Sequence, residues 1–418
     1  MSAGISQLRK RKGPYAMRRG LLCAAAVAWA VGVVGTAPVA AAVEDVRSRQ
    51  WYLDAMRAEE IWKTTTGEGI KVAVIDTGIN SSTPSLKGQV LEGFDATKAR
   101  GEATDDYDGH GTTMAELIAG TGQGGGLQGL APGVKVIPIR ISDTEFQEKH
   151  KSNLRDKSDA IRAAADSDAQ IISISSGSEF YEPKEEEAVK YAEKKGKLIF
   201  AAVGNTGDED NKPGYPASYD EVVGVGASIA AGKVAEYSYH GEAVDLVAPG
   251  SGIPHWCDAS FKGYCDGNGT SAATAIASAS AALIWSTNPD WTANQVLRVM
   301  FESAGRGKDG NKKTLSNFYG HGVVRPGAHI NRGLGKPGDP DLSPLTNKRT
   351  GAATASATPS APAKSSPAKS APPADTAVAG SSEKSGDDGW WGLVLGGAGV
   401  VVALAGGGFF VARRRRSA

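Results

Sequence analysis

Cysteine is scarce in this chain of 418 residues: there are three, Cys23, Cys257 and Cys265. Cys257 and Cys265 lack the full set of His and Cys partners that a zinc site needs. No calcium-loop signature is present either, so no metal or cofactor is expected. Net charge is also lacking, with 46 basic residues against 46 acidic ones. The balance hides an uneven placement. Ten basic residues lie in the two tails (Arg9 to Lys12, Arg18, Arg19 and Arg413 to Arg416), and every acidic residue lies between them. The middle therefore sets 36 basic against 46 acidic residues, a net charge of −10. That sign argues against nucleic acid or an anionic surface as its partner. Internal repeats are absent.

What is present divides the chain into five parts. Residues 1–42 read as an export signal: a basic start ending in Arg18-Arg19, an apolar run from Leu21 to Val34, and small residues through Ala42. The run is short for a membrane span, so cleavage is favoured over an uncleaved anchor. Arg18-Arg19-Gly20-Leu21-Leu22 leaves twin-Arg export open beside the general secretory route. Residues 43–336 form the folded domain. Residues 337–389, rich in Ala, Pro, Ser and Lys without a hydrophobic period, read as a disordered stalk reaching at most ~150 Å. Residues 390–412 are uncharged, open on two Trp and end at four Arg (413–418 being the basic tail), which predicts one transmembrane helix with a cytoplasmic tail. The domain is thus expected outside the cell, tethered by its C-terminus. In that compartment Cys257 and Cys265 are expected to form a disulfide, with two free thiols as the alternative.

Within the domain, short β-branched runs at 70–75, 134–139, 171–174, 198–203 and 222–225 alternate with helical stretches at 112–119 and 159–165. Continuously apolar strands separated by helices predict an α/β fold with a mainly parallel sheet covered by helices on both faces. Sites in such sheets gather at the carboxyl ends of the strands. Asp76 falls there, in VAVIDTGI. His110 in DGHGT and Ser271 in GNGTSAAT each open a helix, and small residues from Ala272 to Ala282 suit a central, crowded one.

A Ser hydroxyl is a poor nucleophile until a His takes its proton and a carboxylate orients that His. Asp, His and Ser occur here in that chain order, each in a Gly-flanked turn. With these segments the region of about 50–330 resembles the subtilases, the subtilisin-like serine proteases. The resemblance implies that Asp76 orients, His110 acts as base and acid, and Ser271 attacks. Ala201-Ala202-Val203-Gly204-Asn205 is similar to the strand that ends in the family's oxyanion Asn, here Asn205. Ser175, Ser176 and Gly177 match the strand that pairs with an extended peptide, and Tyr215-Pro216 the far wall of the primary pocket. Asp208, Glu209 and Asp210 could favour a basic side chain there, against the plainer reading of a solvated acidic loop. The chain departs from the family at Ala272, at Ala275 and at Glu116, where many members carry Met or Phe, Pro and Gly.

The signal, the opening Gln50-Trp51-Tyr52-Leu53-Asp54, the stalk, the span and the basic tail resemble the mycosins, membrane-anchored subtilases of type VII secretion in Gram-positive bacteria. Only about eight residues separate the expected cleavage site from Trp51, leaving no room for a folding prodomain. The resemblance implies an extracellular serine endopeptidase acting on polypeptide, anchored in the cell membrane, and leaves a type VII secretion complex open as a partner, while the charge balance argues against nucleic acid. The rival reading is a subtilase-fold scaffold bracing such a complex. His150, His240, His255, His321 and His329 lack the turn chemistry around His110 and read as packing or surface residues, as does Asp245. Asp105, Asp106 and Asp108 crowd His110, but the strand end makes Asp76 the orienting carboxylate.

Overall fold

The computed structural model describes residues 46–97, 99–141, 157–306 and 315–350. The export signal, residues 351–418 and His150 lie outside the described residues. Along the chain run α1 (Val46–Arg49), α2 (Trp51–Ala55), α3 (Ala58–Trp62), β1 (Lys71–Asp76), β2 (Phe94–Asp95), α4 (His110–Ala119) and β3 (Lys135–Arg140). Then come α5 (Lys157–Asp166), β4 (Ile171–Ile174), α6 (Pro183–Lys194), β5 (Leu198–Ala202), β6 (Val223–Ser228) and β7 (Leu246–Pro249). The hairpin β8 (Ser251–Trp256) and β9 (Tyr264–Asn268) precedes α7 (Thr270–Ser286), α8 (Ala293–Ser303) and α9 (Pro326–Ile330).

Seven strands form one parallel sheet in the order β2-β3-β1-β4-β5-β6-β7. The fold is an α/β architecture with a parallel sheet, as the alternation of apolar runs and helices predicts. The strand order reverses at β1, which has β3 on one side and β4 on the other. A crevice opens at such a reversal, outside the carboxyl ends of the strands, and Asp76 is the last residue of β1.

Both faces of the sheet are buried because β1 alternates: Val72 and Val74 enter one core, Ala73 and Ile75 the other. The first core is built on α4, α7 and α8, the second on α5 and α6. Each large aliphatic side chain so buried stabilises the fold by about 1.5–3 kcal/mol. Helix α7 is apolar all round and made largely of Ala and Ser, and Ala272 to Trp285 are all buried. Small side chains let its backbone lie close to the sheet and hold Ser271 near the strand ends. Where a helix meets solvent, its ends carry the usual signals. Pro183 opens α6 with Glu185 and Glu186 in the first turn, and α8 has a capping box of Thr292 and Gln295.

One boundary differs from expectation. Residues 337–350, read as the start of the stalk, pack on the folded domain. Thr292 Oγ1 and Asn294 Nδ2 both donate to Pro340 O at 2.9 Å, Ser343 is buried, and Leu345 packs on the first core. The Ala/Pro/Ser composition that signals a stalk belongs to the residues that follow. Residues 337–350 instead carry Leu342, Leu345 and the turn formers Asp339, Pro340 and Asn347. Among the described residues no helix is long and apolar enough to cross a membrane, and the expected span at 390–412 lies outside them.

Candidate active site

Asp76 ends β1 with its side chain 2% exposed. Its Oδ1 accepts from Thr77 N at 2.8 Å and pairs with His110 Nδ1 at 2.6 Å. An ionised carboxylate can only accept, so the proton sits on Nδ1 and Nε2 is the nitrogen left to take a proton. Asp76 Oδ2 is buried with no partner among the described residues, which leaves the imidazole as the main counter-group. Burial opposes the charged imidazole, but the negative charge and hydrogen bond of Asp76, with help from Asp108 and Asp106, outweigh it and raise His110 to about 9.

His110 is placed by the turn before it. Gly109 has φ +99°, and a side chain there would meet Asp258 O at 3.1 Å. At Gly111 a Cβ would lie 2.1 Å from Gly78 O. Both glycines of DGHGT are thus required by backbone conformation and close approach. The turn is locked by Asp106, a role its place in the sequence does not announce. Its Oδ1 accepts from Thr77 Oγ1 (2.9 Å), Asp108 N (3.0 Å) and Gly109 N (2.9 Å). Its Oδ2 accepts from Thr112 N at 2.9 Å and Thr112 Oγ1 at 2.5 Å. Asp106 lies three residues before the N-cap Gly109, outside the position where a capping residue is ordinarily read. Behind it Arg140, 1% exposed, grips Asp95 through two bonds and donates to Asp105 O at 3.2 Å.

Ser271 is the second residue of α7, and α7 packs against α4. Its Oγ donates to Ser175 O at 2.9 Å, past the end of β4. That bond turns the hydroxyl to a backbone carbonyl rather than to the imidazole. Asn205, after β5, accepts at Oδ1 from Thr270 N (2.9 Å) and Thr270 Oγ1 (3.0 Å). A backbone N–H can donate only to the oxygen, which settles the orientation of this amide. Asn205 Nδ2 then has no partner among the described residues, on an exposed residue beside the Ser271 turn.

The remaining predicted residues fall around this centre. Ser175 is buried and Gly177 exposed. One step on, Ser178 and Tyr215 exchange backbone bonds at 2.9 and 2.7 Å, which joins the strip after β4 to Tyr215 and Pro216. Ser176 Oγ is buried and unpartnered among the described residues. Asp210 is paired with Lys212 at 2.7 Å, and Lys212 also holds Glu179 at 2.9 Å. Asp208 and Glu209 are exposed, so this segment is a solvated loop in which Asp210 already has its cation.

Cys257 and Cys265 are bonded, with S–S 2.01 Å. Of the other histidines, His240 stacks on Phe318 and His321 on Phe301, the latter pushed down to about 4 by burial and then by Arg306. His329 Nδ1 bonds to Leu334 O, and His255 lies opposite Cys265 in the hairpin. Asp245 accepts from Gly224 N at 2.9 Å, and burial raises it to about 7. No cluster of metal-ligating residues occurs among the described residues.

The family model described as the subtilase family, peptidase S8, matches residues 67–322. The major intracellular serine protease of Bacillus subtilis is 36% identical over 218 residues, 50% of this chain and 67% of that protein. The crystal structure of MycP1 from Mycobacterium smegmatis superposes with TM-score 0.58 at 27% identity, over 70% of this chain and 86% of that one. A second MycP1 structure, described as a serine protease and an essential component of the type VII (ESX-1) secretion system, gives TM-score 0.59 at 28% identity, over 69% and 90%.

Proposed function

The chain belongs to the subtilase family and is a subtilisin-like serine protease; on that premise we propose that it cleaves peptide bonds through Asp76, His110 and Ser271, from a position tethered outside the cell membrane. The Asp76–His110 pair, 2.6 Å apart at the strand-order reversal, carries this reading. Ser271 leaves the Ser175 carbonyl once His110 is neutral, gives its proton to Nε2, and attacks the scissile carbonyl. Asp76 stabilises the imidazolium that forms. Asn205 Nδ2 and the Ser271 N–H meet the oxyanion, where charge develops in the transition state. His110 then protonates the leaving amine, and water releases the acyl-enzyme. The substrate lies along Ser175 to Gly177 with one side chain directed toward Tyr215 and Pro216.

The anchored location rests on the apolar 390–412 segment and its Arg cluster. An association with a type VII secretion membrane complex is supported by the likeness to MycP1. A fluorophosphonate probe tests the chemistry. Wild-type protein should label and Ser271→Ala should not; a folded wild type that fails to label would overturn the mechanism. Release of a chain cut before Trp390 into the medium tests the anchor, and retention at the membrane would refute it.

A further inference from the structure

Glu116 is a departure from the family and a buried acid that the mechanism does not use. It is fully buried in α4, and its carboxylate accepts from Ser85 Oγ and from Tyr264 OH, the latter at 2.8 Å. Tyr264 opens β9, in the disulfide-closed hairpin that runs directly into Gly269, Thr270 and Ser271.

Helix α4 holds this hairpin twice. Thr113 Oγ1 accepts from Trp256 N at 3.0 Å, fastening β8, and Glu116 holds Tyr264, fastening β9. His110, Thr113 and Glu116 are spaced by three, so the base and both fastenings share one side of the helix. The two held aromatics stack with centroids 3.9 Å apart. From the far side, Arg49 bonds to Tyr264 O at 3.1 Å and to Asp266. The strand leading to the nucleophile is therefore clamped to the helix that begins with the general base.

We propose that Glu116 is a positioning residue for proteolysis, acting through Tyr264 to set the spacing between His110 and Ser271. This rests on the triad reading above. The role needs an acceptor for the Tyr264 hydroxyl at this depth in α4; Gly at that position could not supply one. The negative charge itself is dispensable, because a Gln oxygen accepts the same bond.

The test uses full-length protein, with second-order rates of fluorophosphonate labelling and with kcat and KM on a fluorogenic peptide. Tyr264→Phe removes only the hydroxyl and keeps the stack on Trp256. It should label about 10- to 100-fold more slowly, the scale expected of a small misplacement, with kcat falling and KM within about twofold. Glu116→Ala should behave alike, while Glu116→Gln should stay within about threefold of wild type. If Glu116→Ala does not fold, the other two variants decide. Wild-type labelling rates in Tyr264→Phe overturn the proposal, and so does a Glu116→Gln loss as large as that of Tyr264→Phe. Wild-type protein that does not label at all refutes the triad and takes the proposal with it, a result distinct from the other two.

Discussion

Glu116→Gln should change how stability depends on pH, and by an amount the structure sets. Burial raises the Glu116 carboxyl from an ordinary 4.5 to about 7, against the bonds from Ser85 and Tyr264 that favour its charged form. The folded chain therefore holds this proton more tightly than the unfolded chain. The stability contributed by the neutral acid is complete below pH 4.5 and is lost as pH rises through 7. About two and a half pH units correspond to ~3 kcal/mol, with no discount for solvent at a side chain of zero exposure. Glutamine keeps an acceptor for Tyr264 and a donor for Ser85 but never ionises. At pH 4 the two proteins should then differ by less than about 1 kcal/mol. By pH 8 the variant should be ahead by ~3 kcal/mol. His110 and Asp245 also titrate with raised values, but both are common to the pair and cancel in the difference. The measurement is urea unfolding from pH 4 to 8, in a Ser271→Ala background to suppress self-cleavage. A difference that stays flat with pH, or that favours wild type as pH rises, refutes the reasoning.

Three further outcomes follow from the site and its boundary. Because His110 is raised to about 9, kcat/KM on a peptide should climb with pH through that value. Asp76→Asn should lower kcat by about 1,000- to 10,000-fold and move the rise toward ordinary imidazole values; activity already flat from pH 7 upward refutes the assignment. Asn205→Ala should cost about 100- to 1,000-fold in kcat with KM little changed, a magnitude measured in a subtilisin rather than worked from this structure; an unchanged kcat removes Asn205 from the oxyanion site. In the Ser271→Ala background, a chain ending at 336 should be less stable by roughly 2–3 kcal/mol than one ending at 350, because it loses the Pro340 bonds and the Leu345 contact. Equal melting temperatures would return 337–350 to the stalk.

The sheet was readable wherever a strand is buried on both faces. The runs at 70–75, 134–139 and 171–174 appear as β1, β3 and β4 within one residue, because continuous β-branched runs have few other uses. Strands β2 and β7 were not foreseen. Two residues, Phe94 and Asp95, carry no period, and Leu246 to Pro249 has the look of a turn because Pro and Gly close it. The hairpin was invisible for another reason. Its burial is irregular, and its register depends on partners far along the chain: Thr113 and Glu116 below, Arg49 above. The end of the fold was misjudged by averaging, since 14 ordered residues share a composition window with a much longer Ala/Pro/Ser tract.

The same distinction governs the site. The proposed triad residues Asp76, His110 and Ser271 stand out in the sequence because each sits in a local device: a strand end, a turn needing Gly109 and Gly111, and a helix start made of small residues. A local device announces itself within five or six letters. Asp106 was half legible, since its bonds to Gly109 and Thr112 are local while its bond to Thr77 spans 29 residues. Glu116 was visible only as an odd letter, because its meaning lies 148 residues away in Tyr264. Chemistry is thus written locally, whereas the spacing between chemical groups is written in pairs that only the folded chain brings together. A departure from the family on a buried helix face is therefore best examined with the residue it touches, and variants of such a pair should fail together and be restored by any side chain that keeps the shared bond.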